Sequence, residues 1–149
     1  MRTRETIAFI LVLSVRMAAA DAWDVRYGTF ESPAGFTFQH TGTIDSFRGT
    51  LSRKSDGFTI SFDIGYMAGL HMSESHRAKC VFYRTHKING NLASTGIERV
   101  GDTQTITTTI YDQLANNKQA PANFWAAVKR DSDVAEFLLI VSSYKPKAP

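Results

Sequence analysis

The sequence predicts an α+β domain: an antiparallel sheet of about six to seven strands in a hairpin meander, with a C-terminal helix packed on one face. Three observations predict it. Asp56-Gly57, Asn89-Gly90 and Gly101-Asp102 are favoured two-residue hairpin loops, each flanked by alternating apolar and polar runs. A compact apolar run at 124–128 follows Pro121. Residues 131–144 then carry apolar side chains at helical spacing. The chain has 149 residues, 43% hydrophobic and 21% charged, a balance that suits one globular domain and excludes a disordered chain.

The first segment reads as a targeting signal. Arg2 and Arg4 precede the apolar run 7–15, and Ala18-Ala19-Ala20 and Ala20-Asp21-Ala22 offer small-x-small cleavage positions. This is the three-part pattern of a secretory signal peptide. The run is far short of the ~20 residues that span a bilayer, and Arg16 closes it. The expected organisation is a signal peptide at 1–22 and one domain at 23–149, exported to the periplasm or secreted, with no membrane span after cleavage. Removing Arg2, Arg4, Glu5, Arg16 and Asp21 moves the formal net charge from +3 to +2. The remaining basic residues are scattered, and nucleic acid is not an expected partner. Cys80 is the one cysteine, so no intramolecular disulfide forms and the core alone must hold the domain.

The strands follow in order. Phe36-Thr37-Phe38 alternates after Pro33-Ala34-Gly35. Folding 47–64 at Asp56-Gly57 sets Leu51 opposite Phe62, Arg53 opposite Ile60 and Gly49 opposite Ile64. Phe47, Leu51, Phe58, Ile60, Phe62 and Ile64 then share an apolar face. Thr50, Ser52, Lys54, Thr59, Ser61 and Asp63 share the polar one, where Arg48 and Asp63 are diagonal neighbours. Two further turns give strands near 80–88, 92–100 and 103–111. They pair Phe82 with Ile97 and Ile97 with Ile106, with Cys80 and Ile110 on the same face. Thr105, Thr107, Thr109 and Tyr111 form an outward, solvated face. In the helix, Asp131, Ser132 and Asp133 offer N-caps, with Glu136 at the capping-box spacing from Asp133. Val134, Phe137, Leu138, Val141 and Tyr144 form its apolar stripe, Lys145 suits its C-terminal dipole, and Pro146 stops it.

Phe30-Glu31-Ser32-Pro33-Ala34-Gly35-Phe36 resembles the opening of small secreted PsbP/Mog1-like domains, with an aromatic, a proline and a Gly-aromatic pair. The closing strand and terminal helix of 124–144 are similar to the end of such chains. The likeness covers about a quarter of the sequence. It implies an accessory or binding domain and brings no catalytic residues with it.

Two long connections, 65–79 and 112–123, are the places where function concentrates in a compact domain. The first holds Met67, His71, Met72 and His76, with Cys80 beyond: thioether and imidazole donors that suit copper. Cys80 is also a candidate nucleophile, with His71, His76 or His40 as its base. His86 is excluded as its partner because six residues along one strand span ~20 Å. Asp45, Asp63 and Glu98 are the candidate acid/base carboxylates. Arg84 and His86 fall on the core-side face, where they lie at the sheet's end or line a cavity. With Tyr66 they are the candidate ligand-binding residues, and lining a cavity they would suit an anionic small ligand. No Gly-x-Ser-x-Gly, Ser-x-x-Lys, His-Glu-x-x-His or phosphate-loop motif is present. The expected function is that of a small exported, non-enzymatic and monomeric protein that binds a small molecule or protein partner. A periplasmic copper-binding protein and a small hydrolase are the alternatives.

Overall fold

A computed structural model describes residues 20–42, 44–111 and 120–147. The segment 1–19 and most of the second long connection, 112–119, lie outside the described residues. Ten strands, one helix and one 3-10 turn follow along the described chain. They are β1 (Asp21–Val25), β2 (Gly28–Ser32), β3 (Phe36–Gly42), β4 (Phe47–Arg53), β5 (Thr59–Ile64) and the 3-10 turn Glu74–Lys79. After it come β6 (Cys80–Ile88), β7 (Asn91–Val100), β8 (Thr103–Tyr111), β9 (Ala122–Val128), α1 (Asp131–Ser142) and β10 (Lys145–Pro146). The large sheet has seven antiparallel strands in the order β3-β4-β5-β9-β8-β7-β6, and a small one has the order β1-β2-β10. The fold is α+β, mostly antiparallel sheet, with one helix near the C-terminal end.

The two Gly-containing hairpins behave as their chemistry dictates. Asn89 and Gly90 take positive φ of 48° and 85°, the mirror-image turn that suits strand twist, and Ile88 pairs with Asn91 across them. Gly101 does the same between Val100 and Thr103. Phe82 pairs with Ile97 and Ile97 with Ile106, as the sequence predicts.

The β4–β5 hairpin differs by two residues from the expected register. Leu51 pairs with Ile60, Gly49 with Phe62 and Phe47 with Ile64. The loop has four residues because Arg53 N donates to Phe58 O at 2.8 Å and Asp56 Oδ1 accepts from Phe58 N at 3.2 Å. Asp56 therefore shapes a turn of its own instead of sitting in a two-residue loop. A slip of two keeps every side chain on its expected face. Arg48 and Asp63 become direct partners, with an ion pair of 3.2 Å.

The inner face of the large sheet buries Leu51, Ile60, Phe62, Ile64, Ile106, Ile110 and Phe124. Phe137, Ile140, Val141 and Tyr144 enter the same core, and so does Phe30 of β2. Phe30 meets Phe62 and Phe124 edge-on at 5.4 and 5.6 Å between centroids, so the small sheet and the helix together roof this face. The small sheet is not foreseen in the sequence, where its short strands carry mixed polar residues. Asp21 and Ala22, at the expected cleavage positions, pair with Ser32 and Glu31 in it.

The helix also corrects two expectations. Arg130 is the N-cap, and Asp133 stands at the third helical position, where its Oδ2 accepts from the backbone N–H groups of Arg130 and Lys129 at 3.2 and 3.3 Å. The helix ends at Ser142, so Lys145 lies in β10 and not at a helix terminus. Ile140 is buried in the stripe, while Leu138 is 41% exposed at its flank.

Candidate functional site

The roof stops short of the far end of the sheet. Helix α1 covers β9 and β2, and past β8 the inner face emerges from under it. There the helix flank and β6–β8 enclose a cleft of about 500 Å³. Val134 and Leu138 form its helix wall; Ile97, Ile106, Thr95 and Phe82 form most of its floor, and Arg84 and His86 of edge strand β6 complete it. The size lies within the range of small-molecule sites, which typically combine apolar walls with a few polar groups. Thr95 Oγ1 is satisfied by Thr108 Oγ1 at 2.7 Å. His86 Nδ1 is buried, with no hydrogen-bond partner among the described residues. An apolar body with one anionic group is the ligand such a lining can seat: the guanidinium supplies a charge-assisted donor, and the unsatisfied imidazole a second polar group.

Of the three candidate ligand residues, Arg84 and His86 come together here. Tyr66 does not. It lies on the connection after β5 and packs edge-on against Tyr27, 5.8 Å between centroids.

At the other flank of α1 lies a charged network that joins residues far apart in the sequence and has no local signature there. Arg53 binds Asp56 and Asp133, each at 2.7 Å, and also Glu136; its guanidinium lies over the Phe58 ring at 4.9 Å. Arg130 binds Asp133 at 2.8 Å and also Asp56. The Arg130 and Arg53 guanidinium groups hold the Asp133 carboxyl down at about 2. Arg53 likewise holds Asp56 well below the usual carboxylate range, and both arginines are raised by their carboxylate partners. A hollow of about 520 Å³ opens beside the network. Of the charged side chains lining it, Asp56, Arg130 and Asp133 are already bonded within the network, which braces the helix start against the β4–β5 hairpin.

The connection 65–79 is a strap across the outer face. Its path overturns the expectation of a solvated threonine face: Thr109 is fully buried and Thr107 nearly so. Met72 N donates to Thr109 Oγ1 at 2.8 Å, and Tyr111 Oη donates to Met72 O at 2.9 Å. Asn123, fully buried on β9, ties the strap down. Its Oδ1 accepts from Thr109 Oγ1 at 2.7 Å and His71 N at 3.1 Å, and its Nδ2 donates to Gly69 O at 3.1 Å and Asp63 O at 3.3 Å.

The Met/His candidates lie in different surroundings along the strap. Met67 is 69% exposed, whereas Met72 is buried. The His71 ring lies against Trp125 at 4.8 Å between centroids, and burial lowers its pKa. His76 Nδ1 is 3.0 Å from Ser73 Oγ. Among the described residues no group of three or more His, Cys, Asp or Glu side chains is placed to hold a metal ion. Met72 Sδ does lie 3.9 Å from Cys80 Sγ, in space that Gly96 leaves open: a Cβ there would sit 2.7 Å from the thioether and 2.8 Å from the thiol.

Cys80 is not on the face of Phe82 and Ile97. A bulge between Cys80 and Phe82 sets Cys80 opposite Glu98 and turns it under the strap. Its thiol donates to His76 O at 3.4 Å, and burial raises its pKa, which keeps it protonated and a poor nucleophile. His40 is on β3, the opposite edge of the sheet, stacked on Phe47 at 4.5 Å. Asp45 is exposed before β4, Asp63 is paired with Arg48, and Glu98 is on β7 with β9 and β8 between it and Asp63. The three carboxylates thus stand on separate elements.

No family model matches this chain, and no curated protein matches it. No helix among the described residues is long and apolar enough to cross a membrane.

Proposed function

We propose that this is a small exported, non-enzymatic binding domain whose cleft between α1 and β6–β8 takes an amphipathic anion. The observation that carries the reading is the joining of Arg84 and His86 to a floor and wall of Phe82, Ile97, Ile106, Val134 and Leu138. Calorimetric titration with decanoate and with decanol tests it. One charge-assisted hydrogen bond is worth roughly 1.5–3 kcal/mol, so decanoate is expected to bind about 10- to 100-fold more tightly than decanol. Arg84→Gln combined with His86→Gln should abolish that preference. Absence of decanoate binding, or an unchanged preference in the double variant, contradicts the reading.

Export is part of the proposal. Cleavage after Ala20 would leave all of β1 in place, whereas cleavage after Ala22 would remove two of its pairings. An intact mass of the exported protein that begins at Asp21 is the expected result, and an uncleaved chain contradicts it.

A second reading, binding of a soft monovalent cation such as Cu(I), is favoured by one distance. Met72 Sδ and Cys80 Sγ are 3.9 Å apart, within the ~4.6 Å that two sulfurs each about 2.3 Å from one ion can span. Silver(I), as the probe, should add one ion in a native mass spectrum, and Met72→Leu with Cys80→Ser should remove it. Equal silver retention by the variant rejects this reading.

A further inference from the structure

We infer that β6 is a docking edge for an extended acidic peptide, which adds as an eighth strand and sends side chains toward the cleft. The inference rests on the cleft reading above and names a ligand class for it. β6 ends the strand order, with β7 on one side and no strand among the described residues on the other. Its nine residues extend about 30 Å, and one row of backbone N–H and C=O groups faces outward along that length. Val81 and Phe82 on it are 62% and 48% exposed. Arg84, His86 and Lys87 follow, Lys79 precedes, and no acidic residue occurs between Glu74, which pairs with Arg77 at 3.1 Å, and Glu98.

Charge identifies the occupant. A second copy of β6 would set cation against cation along a strand with no acid to answer it. An acidic partner strand instead meets Arg84 on the cleft side and Lys87 on the other. Lysines on an edge also deter indiscriminate strand pairing. The exposed Val81 and Phe82, and Arg84 lining an apolar cleft, go beyond deterrence and offer contacts for alternate side chains of a partner strand. The opposite edge, β3, lacks this charge: it carries no Lys, Arg, Asp or Glu.

The test uses a capped nine-residue peptide alternating Glu and Val, and two versions of it N-methylated at the odd or at the even positions. In a paired strand only alternate amides face the neighbour. One methylated version should bind like the parent and the other at least about 10-fold more weakly, since it loses several backbone hydrogen bonds. Lys87→Glu, outside the cleft, should weaken the peptide by a similar factor and leave decanoate binding unchanged. Equal binding by the two methylated versions overturns strand addition. A protein that binds decanoate but not the peptide overturns this inference and leaves the cleft reading intact. A protein that binds neither overturns both.

Discussion

Asn123→Ala is expected to destabilise the domain by about 3–5 kcal/mol, because it leaves several buried partners unpaired at roughly 1–3 kcal/mol each. The lost bonds run to Thr109, His71, Gly69 and Asp63. Small domains have only about 5–15 kcal/mol of stability, so the variant should unfold at a much lower urea concentration. The strap should also become the first site of limited proteolysis, since its backbone loses its anchors on β9. A urea midpoint like that of the parent protein, with the strap still protected, would show that the strap is held by Met72 and Tyr111 instead.

Arg53→Met should cost about 3 kcal/mol, the order seen when one partner of a buried ion pair is removed. The guanidinium is 13% exposed and serves three carboxylates, of which Asp133 is 5% exposed. Arg130 remains to pair with Asp133, which keeps the loss from being larger. The same network sets the acid limb. Asp133 is held at about 2 in the folded state, against roughly 3.9 for an unfolded aspartate. Its contribution is therefore complete above about pH 4 and is lost as pH falls toward about 2. Thermal unfolding followed by circular dichroism should show stability falling steeply across that window, and less steeply in Arg53→Met. An equal slope in the variant would mean that Arg130 alone perturbs Asp133.

What was legible in the sequence was what local chemistry decides. Asn89-Gly90 and Gly101-Asp102 fix their own φ angles, so the β6–β7–β8 meander follows from sequence alone with its register. The core-side placement of Arg84 and His86 follows from the same alternation. What was not legible depends on distant chain. The β4–β5 loop widens because Asp56 answers Arg53, which also reaches Asp133 80 residues away. Cys80 changes face because one bulge interrupts the period of two. The threonine face reads as solvated because no local signal says that residues 65–79 return across it. Asn123, a lone amide in the run Ala122-Asn123-Phe124-Trp125, was the available hint: a polar group inside an apolar strand needs partners from elsewhere.

Methyl-group NMR during a decanoate titration shows whether the α1/β6–β8 cleft is the binding site. Saturable shifts are expected at Ile97, Ile106, Val134 and Leu138, the aliphatic cleft residues, with unmoved signals from Ile60 and Ile64, buried under the roof on β5. Shifts that never saturate, or that centre on the exposed Met67 and Leu70 of the strap, would contradict binding in the cleft.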